Sequence, residues 1–107
     1  MLTTNFFQQL FGKYKDFVVQ LDSNEAVFTI NAHNPSESLK VNEYTHYFQV
    51  KLQKSSDSFF QIPKRNISSY GMGSPYNYKS FDDYREIVGY IRFENDAEFL
   101  FLSYDNM

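Results

Sequence analysis

The chain has 107 residues, no cysteine and no tryptophan, and its formal net charge is −3 at pH 7. The absence of cysteine excludes a disulfide framework, a thiolate metal site and a cysteine nucleophile. The length fits a single domain over residues 1–107. Because the sequence has neither a signal-peptide layout nor an apolar run of about 20 residues, we expect a cytoplasmic protein.

The first predicted element is an amphipathic helix over Asn5 to Tyr14. Its apolar residues recur at spacings of three and four, which places them on one helical face: Phe6, Phe7, Leu10, Phe11 and Tyr14. A face of this kind is stable only when another element covers it. We therefore expect the helix to pack on one face of a sheet.

Alternating apolar residues predict strands over much of the following chain. Phe17 to Leu21 and Ala26 to Ala32 form a predicted hairpin. The segment His33 to Asn42 is polar, contains a proline and is predicted to be a loop. Glu43 to Gln53 alternates most regularly and predicts a half-buried strand, which is followed by a short strand over Ser58 to Ile62.

The segment Pro63 to Lys79 has two prolines, two glycines and three tyrosines but no helical or strand period. It is predicted to be a long loop, and loops of this length inside a small domain are often functional. Ser80 then suits the N-cap of a helix, since acidic residues follow in the first turn. The predicted second helix is short and ends at Glu86 or Ile87.

The C-terminal region predicts a second hairpin at the centre of the sheet. Its strands flank a polar turn, in which Asn95 and Asp96 tolerate left-handed backbone: Ile87 to Phe93 and Ala97 to Tyr104. The second strand is apolar on both faces, so both faces should be covered. Gly89 within the first of these strands indicates a bulge or a close backbone approach. Simple alternation places Ile87 on the same face of the strand as Gly89.

Together these elements predict an α+β fold. We expect a mostly antiparallel sheet of about five or six strands, with the N-terminal amphipathic helix packed on one face and a short second helix before the C-terminal hairpin. Hairpin connections dominate, and the pattern contains no strand–helix–strand rhythm. A doubly wound parallel sheet is therefore not expected.

Charge is unevenly distributed along the sequence. From Phe81 to the C-terminus, seven acidic residues accompany two arginines, which gives a net charge of −5, whereas the preceding part carries +2. An acidic region of this kind attracts a basic partner. It equally suits a solvated end that keeps the protein soluble, and the sequence leaves both interpretations open.

His46 lies among the apolar residues of the most regular strand, a position typical of a hydrogen-bonded core histidine. A small nuclease would instead use it as a general base beside a carboxylate and an arginine. Glu25 or Glu43 and Arg65 or Arg85 are the candidates for these two roles. The two histidines have no third ligand at a recognised spacing, so no metal site is predicted, and neither is a cofactor or a catalytic residue.

Lys64, Arg65 and Lys79 bracket the loop tyrosines, an arrangement that can bind single-stranded nucleic acid. We favour packing of these tyrosines against the sheet over binding of nucleic acid. The third interpretation is protein recognition, in which tyrosine and arginine contribute most. Under this interpretation the partner-binding residues are Tyr70, Tyr76, Tyr78, Asp82, Asp83 and Glu86.

In its general properties the chain resembles bacterial toxin-immunity proteins, since it is small, cysteine-free, acidic and rich in aromatics. This resemblance is one of character and includes no motif. We predict a cytoplasmic, non-enzymatic module that inhibits a basic protein partner, such as a toxin or a nuclease, without binding membranes. A phage anti-defence inhibitor would have the same character, and the sequence leaves that alternative and the oligomeric state open.

Overall fold

The computed structural model describes residues 1–13, 16–22, 27–33, 39–52, 59–76 and 85–104. Within these ranges the chain forms one helix and eight strands. In chain order the elements are α1 (Thr4–Lys13), β1 (Asp16–Asp22), β2 (Val27–His33), β3 (Leu39–Glu43), β4 (Tyr47–Leu52), β5 (Phe59–Pro63), β6 (Ile67–Met72), β7 (Arg85–Phe93) and β8 (Glu98–Tyr104).

The eight described strands divide between two sheets. The large sheet has the order β2-β1-β8-β7-β6, and the small sheet has the order β3-β4-β5. All of the described pairings are antiparallel. The α+β class, the antiparallel pairing, the N-terminal helix and the first hairpin are thus confirmed, whereas the expected five or six strands become eight in two sheets.

One apolar core is shared by helix α1 and both sheets. The ring of Phe7 lies 5.3 Å from Phe48 of the small sheet and 6.4 Å from Phe101 of the large sheet, measured between ring centroids. Phe60 stacks on Phe99 at 5.6 Å, which joins the two sheets directly. The helix therefore fixes the small sheet against the large one through buried aromatic contacts.

The C-terminal hairpin lies inside the large sheet, as predicted. β8 pairs with β1 on one side and with β7 on the other. Both faces of β8 are buried, since Phe99 and Phe101 enter the shared core while Leu100 and Leu102 enter a second apolar cluster. Asp96 in the hairpin turn has a φ of 69°, the left-handed conformation that aspartate tolerates.

Gly89 shows the bulge that its place in the sequence indicated, and it also leaves room for a side chain of α1. The register between β7 and β8 shifts between Ile87 and Gly89, which marks a bulge. A Cβ atom at Gly89 would lie 3.1 and 3.2 Å from the two methyl carbons of Leu10, so glycine permits the close approach of α1. The bulge places Ile87 in the cluster with Leu102, away from the face that simple alternation predicted.

Two segments predicted to be loops contain strands. β3 overlaps the end of the segment His33 to Asn42, and β6 lies within the segment Pro63 to Lys79. Each is an edge strand with one described neighbour, β4 for β3 and β7 for β6. Because the neighbouring strand supplies the hydrogen bonds, the serines and the glycine of β6 adopt strand structure despite their low propensity.

Two predicted boundaries also shift. β4 begins at Tyr47 rather than at Glu43, and residues 44–46 connect it to β3. β7 begins at Arg85, so the second helix does not extend to Glu86 or Ile87 as predicted, because pairing with β8 holds these residues in a strand. The predicted start of that helix, residues 80–84, lies outside the described residues.

Candidate partner-binding site

The two described tyrosines of the predicted site pack on different faces of the large sheet. Tyr70 of β6 is half-buried against the shared core, where its ring meets that of Phe6 edge-on at 5.7 Å. Tyr76 packs instead against the second apolar cluster. The structure therefore does not bring Tyr70 and Tyr76 together on one surface.

The other residues of the predicted site are described only in part. Glu86 is half-buried in β7. The other candidates for partner or nucleic-acid binding lie outside the described residues: Tyr78, Lys79, Asp82 and Asp83. Glu25, the alternative to Glu43 as the carboxylate of a nuclease site, also lies outside them. Binding of a basic partner by the acidic members of this set stays a prediction.

Tyr76 belongs to a polar cluster around the carboxylate of Glu98, hereafter the Glu98 cluster (Tyr76, Arg92 and Glu98). Glu98 is only 7% exposed. The Tyr76 hydroxyl donates a hydrogen bond to one carboxylate oxygen, and Arg92 Nε donates to the other at 3.4 Å. The Arg92 guanidinium also lies 5.2 Å from the centre of the Tyr76 ring. A buried carboxylate needs such partners, because removing either of them would leave its charge only partly compensated.

The Glu98 cluster shifts the ionisation of two of its members. Desolvation raises the pKa of Tyr76 above its ordinary value of 10.0, and the hydrogen bond to Glu98 adds to this rise. The Tyr76 hydroxyl and the Glu98 carboxylate in turn raise the pKa of the Arg92 guanidinium. A neutral tyrosine and a charged arginine therefore flank the carboxylate at neutral pH.

A different surface gathers exposed polar and aromatic side chains at one end of the small sheet. Tyr47 of β4 pairs with Pro63 of β5, which brings the β3–β4 connection beside the β5–β6 turn. A cavity of about 540 Å³ lies there, hereafter the turn cavity. It is lined by Tyr47 and Pro63 and by Thr45, His46, Gln61, Lys64 and Arg65.

Hydrogen bonds and ring stacking fix the β3–β4 connection. The Tyr44 N–H donates to the Tyr47 carbonyl at 2.9 Å, and the Lys64 N–H donates to the His46 carbonyl at 3.0 Å. The rings of Tyr44 and Tyr47 stack with their centroids 5.0 Å apart. Because Tyr44 remains 45% exposed, the stacked pair presents an ordered aromatic surface beside the turn cavity.

The β5–β6 turn that carries Arg65 is anchored on both sides. Lys64, which precedes it, is held by the backbone bond to the neighbouring connection. Asn66, which follows it, accepts a hydrogen bond from the Glu94 N–H at 2.8 Å. Asn66 has a φ of 64°, and asparagine adopts this left-handed conformation more readily than most residues. The backbone of Arg65 is therefore well positioned.

The two cations at the turn cavity differ in their surroundings. Lys64 Nζ lies 2.8 Å from a Glu43 carboxylate oxygen and 5.0 Å from the centre of the buried Phe48 ring. Arg65 is exposed, and no carboxylate of the described residues pairs with it. Arg65 is thus the cation that the turn cavity offers to a ligand.

His46 is exposed, so the prediction of a core histidine is wrong. The alternation of the sequence continues through His46, but β4 begins one residue later and its inward face begins at Phe48. Glu43, His46 and Arg65 do gather at this end of the small sheet, as one of the considered catalytic sets requires. Within the described residues, however, no carboxylate orients the imidazole, since Glu43 bonds to Lys64.

Tyr44 and Tyr47 are candidate binding residues that the sequence pattern did not single out. Their signal was a short polar and aromatic segment, Glu43 to Tyr47, that was assigned to a strand because of its alternation. A second signal, the two adjacent cations after Pro63, was assigned to a long loop. Only the pairing of β4 with β5 shows that these two segments adjoin.

Comparison with protein-family models, with curated proteins and with solved structures gives no significant match. In the described part of the chain, no helix is long and apolar enough to cross a membrane. The functional assignment therefore rests on the geometry of the turn cavity and on the chemistry of its side chains.

Proposed function

We propose that this chain is a non-catalytic protein-binding module, a small intracellular inhibitor of the toxin-immunity kind, which binds its partner at the turn cavity. The stacked Tyr44 and Tyr47 rings beside the exposed Arg65 carry this proposal. Tyrosine and arginine are enriched in interface hot spots. Tyrosine in particular brings a large contact area at a small cost in conformational entropy.

The order of the turn cavity supports the same function. The backbone hydrogen bonds on both sides of Arg65 and the stacking of Tyr44 on Tyr47 exist before a partner binds. Such preorganisation reduces the entropy lost on association. Thr45 and Gln61 are also exposed here, and they supply polar groups of the kind found at the rim of interfaces.

The proposal assigns Tyr70 and Tyr76 to the fold rather than to the interface. Tyr70 contacts helix α1, and Tyr76 hydrogen-bonds to Glu98. Contact of a basic toxin or nuclease with the acidic segment around Glu86 remains part of the proposal, because complementary charge accelerates association. The turn cavity provides the anchoring contacts.

Affinity capture with the tagged chain from the cytosol of the producing cells tests the proposal. We expect one stoichiometric partner, which is lost when Tyr44→Ala is combined with Arg65→Ala. The matched control combines Lys40→Ala with Met72→Ala, which removes an exposed cation and an exposed apolar side chain elsewhere. Absence of a partner, or equal capture by both variants, would contradict the proposal.

A small nuclease is the second candidate, which the gathering of Glu43, His46 and Arg65 favours. His46 would act as general base toward a ribose hydroxyl, and Arg65 would stabilise the phosphate. With a fluorogenic RNA substrate, His46→Ala should then lower the rate by a factor of about 100 or more. Activity that survives this substitution, or a chain without RNase activity, removes this candidate.

A further inference from the structure

We infer that the turn cavity binds a carboxylate, and that the partner recognised there presents an acidic side chain to it; this inference rests on the proposed function. Aspartate and glutamate are missing from the described residues that line the cavity. The polar groups of the lining are hydrogen-bond donors or can become donors. The lining therefore matches an acceptor with negative charge rather than a cation.

Four side chains of the lining supply these donors at exposed positions: Thr45, His46, Gln61 and Arg65. The guanidinium of arginine presents paired N–H groups that match the two oxygens of a carboxylate. A hydroxyl, an amide and an imidazole add single hydrogen bonds at the same cavity. This combination selects a planar anion with two acceptor oxygens.

The charge of the site favours one anion over a polyanion. Lys64 is neutralised by Glu43 at 2.8 Å, which leaves Arg65 as the described cation of the lining without a carboxylate partner. A nucleic-acid strand gains its affinity by contacting several phosphates with several cations. A single carboxylate fits this balance of charge.

The apolar part of the site favours an acidic side chain over a small free anion. Pro63 and the ring of Tyr47 line the turn cavity, and Tyr44 stacks on Tyr47 beside it. These surfaces can contact the methylene groups of a glutamate or the backbone of a peptide. The cavity therefore suits an acidic peptide segment of a partner protein.

A titration with a blocked tetraglutamate peptide tests the inference without a known partner. Backbone amide shifts are measured by ¹H–¹⁵N correlation spectra, with blocked tetraglutamine as the neutral probe of similar shape. Tetraglutamate should cause saturable shifts at the amides of residues 44–47, 61–62 and 64–66, whereas tetraglutamine should not. Equal shifts with both peptides, or shifts that do not saturate, would overturn the inference.

Two variants test which positive charge binds the tetraglutamate. Arg65→Ala should weaken the binding of tetraglutamate about tenfold, since a hydrogen bond to a charged group contributes this much. Lys40→Ala removes an exposed cation of β3 and should leave the affinity unchanged. Equal weakening by both substitutions would show nonspecific electrostatic attraction and would contradict the inference. Tighter binding of octathymidylate than of tetraglutamate would assign the cavity to nucleic acid and would also contradict it.

The inference and the proposed function fail in distinguishable ways. Saturable binding of tetraglutamate at the turn cavity without capture of any protein partner would support the carboxylate site and contradict the inhibitor function. Capture of a partner that depends on Tyr44 and Arg65, without binding of tetraglutamate, would support the inhibitor function and overturn the carboxylate site.

Discussion

The Glu98 cluster and the turn cavity both combine tyrosine with arginine, and within the described residues they differ in whether the chain supplies a carboxylate. In the Glu98 cluster, the carboxylate belongs to β8 and accepts hydrogen bonds from Tyr76 and Arg92. At the turn cavity, Tyr47 and Arg65 have no such acceptor among the described residues of the lining. The same side-chain chemistry thus satisfies a buried carboxylate in one place, whereas in the other we propose that it binds a partner.

The surroundings explain this division. Glu98 lies in a strand that is paired on both edges and has buried neighbours on both faces. The turn cavity lies where strands end and connections begin, so most of its side chains stay exposed. Tyrosine content alone therefore does not locate a binding surface, because strand pairing decides which rings are enclosed.

The largest change in the free energy of unfolding should come from replacing a buried aromatic residue. Phe101 is fully buried and contacts rings of helix α1, so Phe101→Ala should lower the free energy of unfolding by about 3–5 kcal/mol. Tyr44→Ala, at an exposed ring, should change it by about 0.5 kcal/mol or less. Urea unfolding measures both values, and similar losses would show that the turn cavity is also part of the stabilising core.

The next largest change in stability should come from replacing the carboxylates of Glu98 and Glu43. Glu98→Ala removes the acceptor of Tyr76 and Arg92 and should destabilise the fold by about 1–3 kcal/mol. Glu43→Ala removes an exposed ion pair with Lys64 and should cost about 1 kcal/mol or less. Chemical unfolding of both variants provides the comparison. A larger loss for Glu43→Ala would reverse the roles assigned to the two sites.

A smaller change in stability should come from substitutions at Asn66 in the turn that carries Arg65. Asn66 has a φ of 64°, so Asn66→Ala should destabilise the chain by about 1 kcal/mol, whereas Asn66→Gly should be nearly neutral. Thermal unfolding distinguishes the two substitutions. If alanine were tolerated as well as glycine, the left-handed conformation would not be required for this turn.

The smallest effect is the pH dependence caused by Tyr76. Its pKa is higher in the folded chain than its ordinary value of 10.0, so unfolding releases a proton between the two values. The stabilising contribution is therefore complete below pH 10 and decreases as pH rises toward the folded-state pKa. In stability curves measured between pH 8 and 11, Tyr76→Phe should reduce this alkaline decrease, whereas an unchanged decrease would assign it to other groups.

The sequence predicted those parts of the fold in which local pattern and strand pairing agree. The C-terminal hairpin was recognisable from its apolar runs, and Gly89 correctly indicated a bulge. β6 was missed because its serines and its glycine have low strand propensity and gain their order from β7. Pairing between distant segments is not visible in a local pattern.

The candidate site was harder to predict than the fold for the same reason. The pairing of Tyr47 with Pro63 creates the turn cavity, and these residues are far apart in the sequence. The sequence did identify Arg65 as a cation near tyrosines, but it selected Tyr70 and Tyr76, which pack on the large sheet. Tyr70 and Tyr76 are close in the chain but pack against different apolar clusters.

The most direct test compares two double variants of identical composition, Tyr44→Ala with Arg65→Ala and Tyr76→Ala with Arg92→Ala. Capture of the partner is measured at a temperature at which thermal unfolding shows both variants to be folded. We expect the first variant to lose the partner with an unchanged unfolding temperature, and the second to retain the partner with a lowered unfolding temperature. Loss of the partner in the second variant alone would contradict the assignment of recognition to the turn cavity.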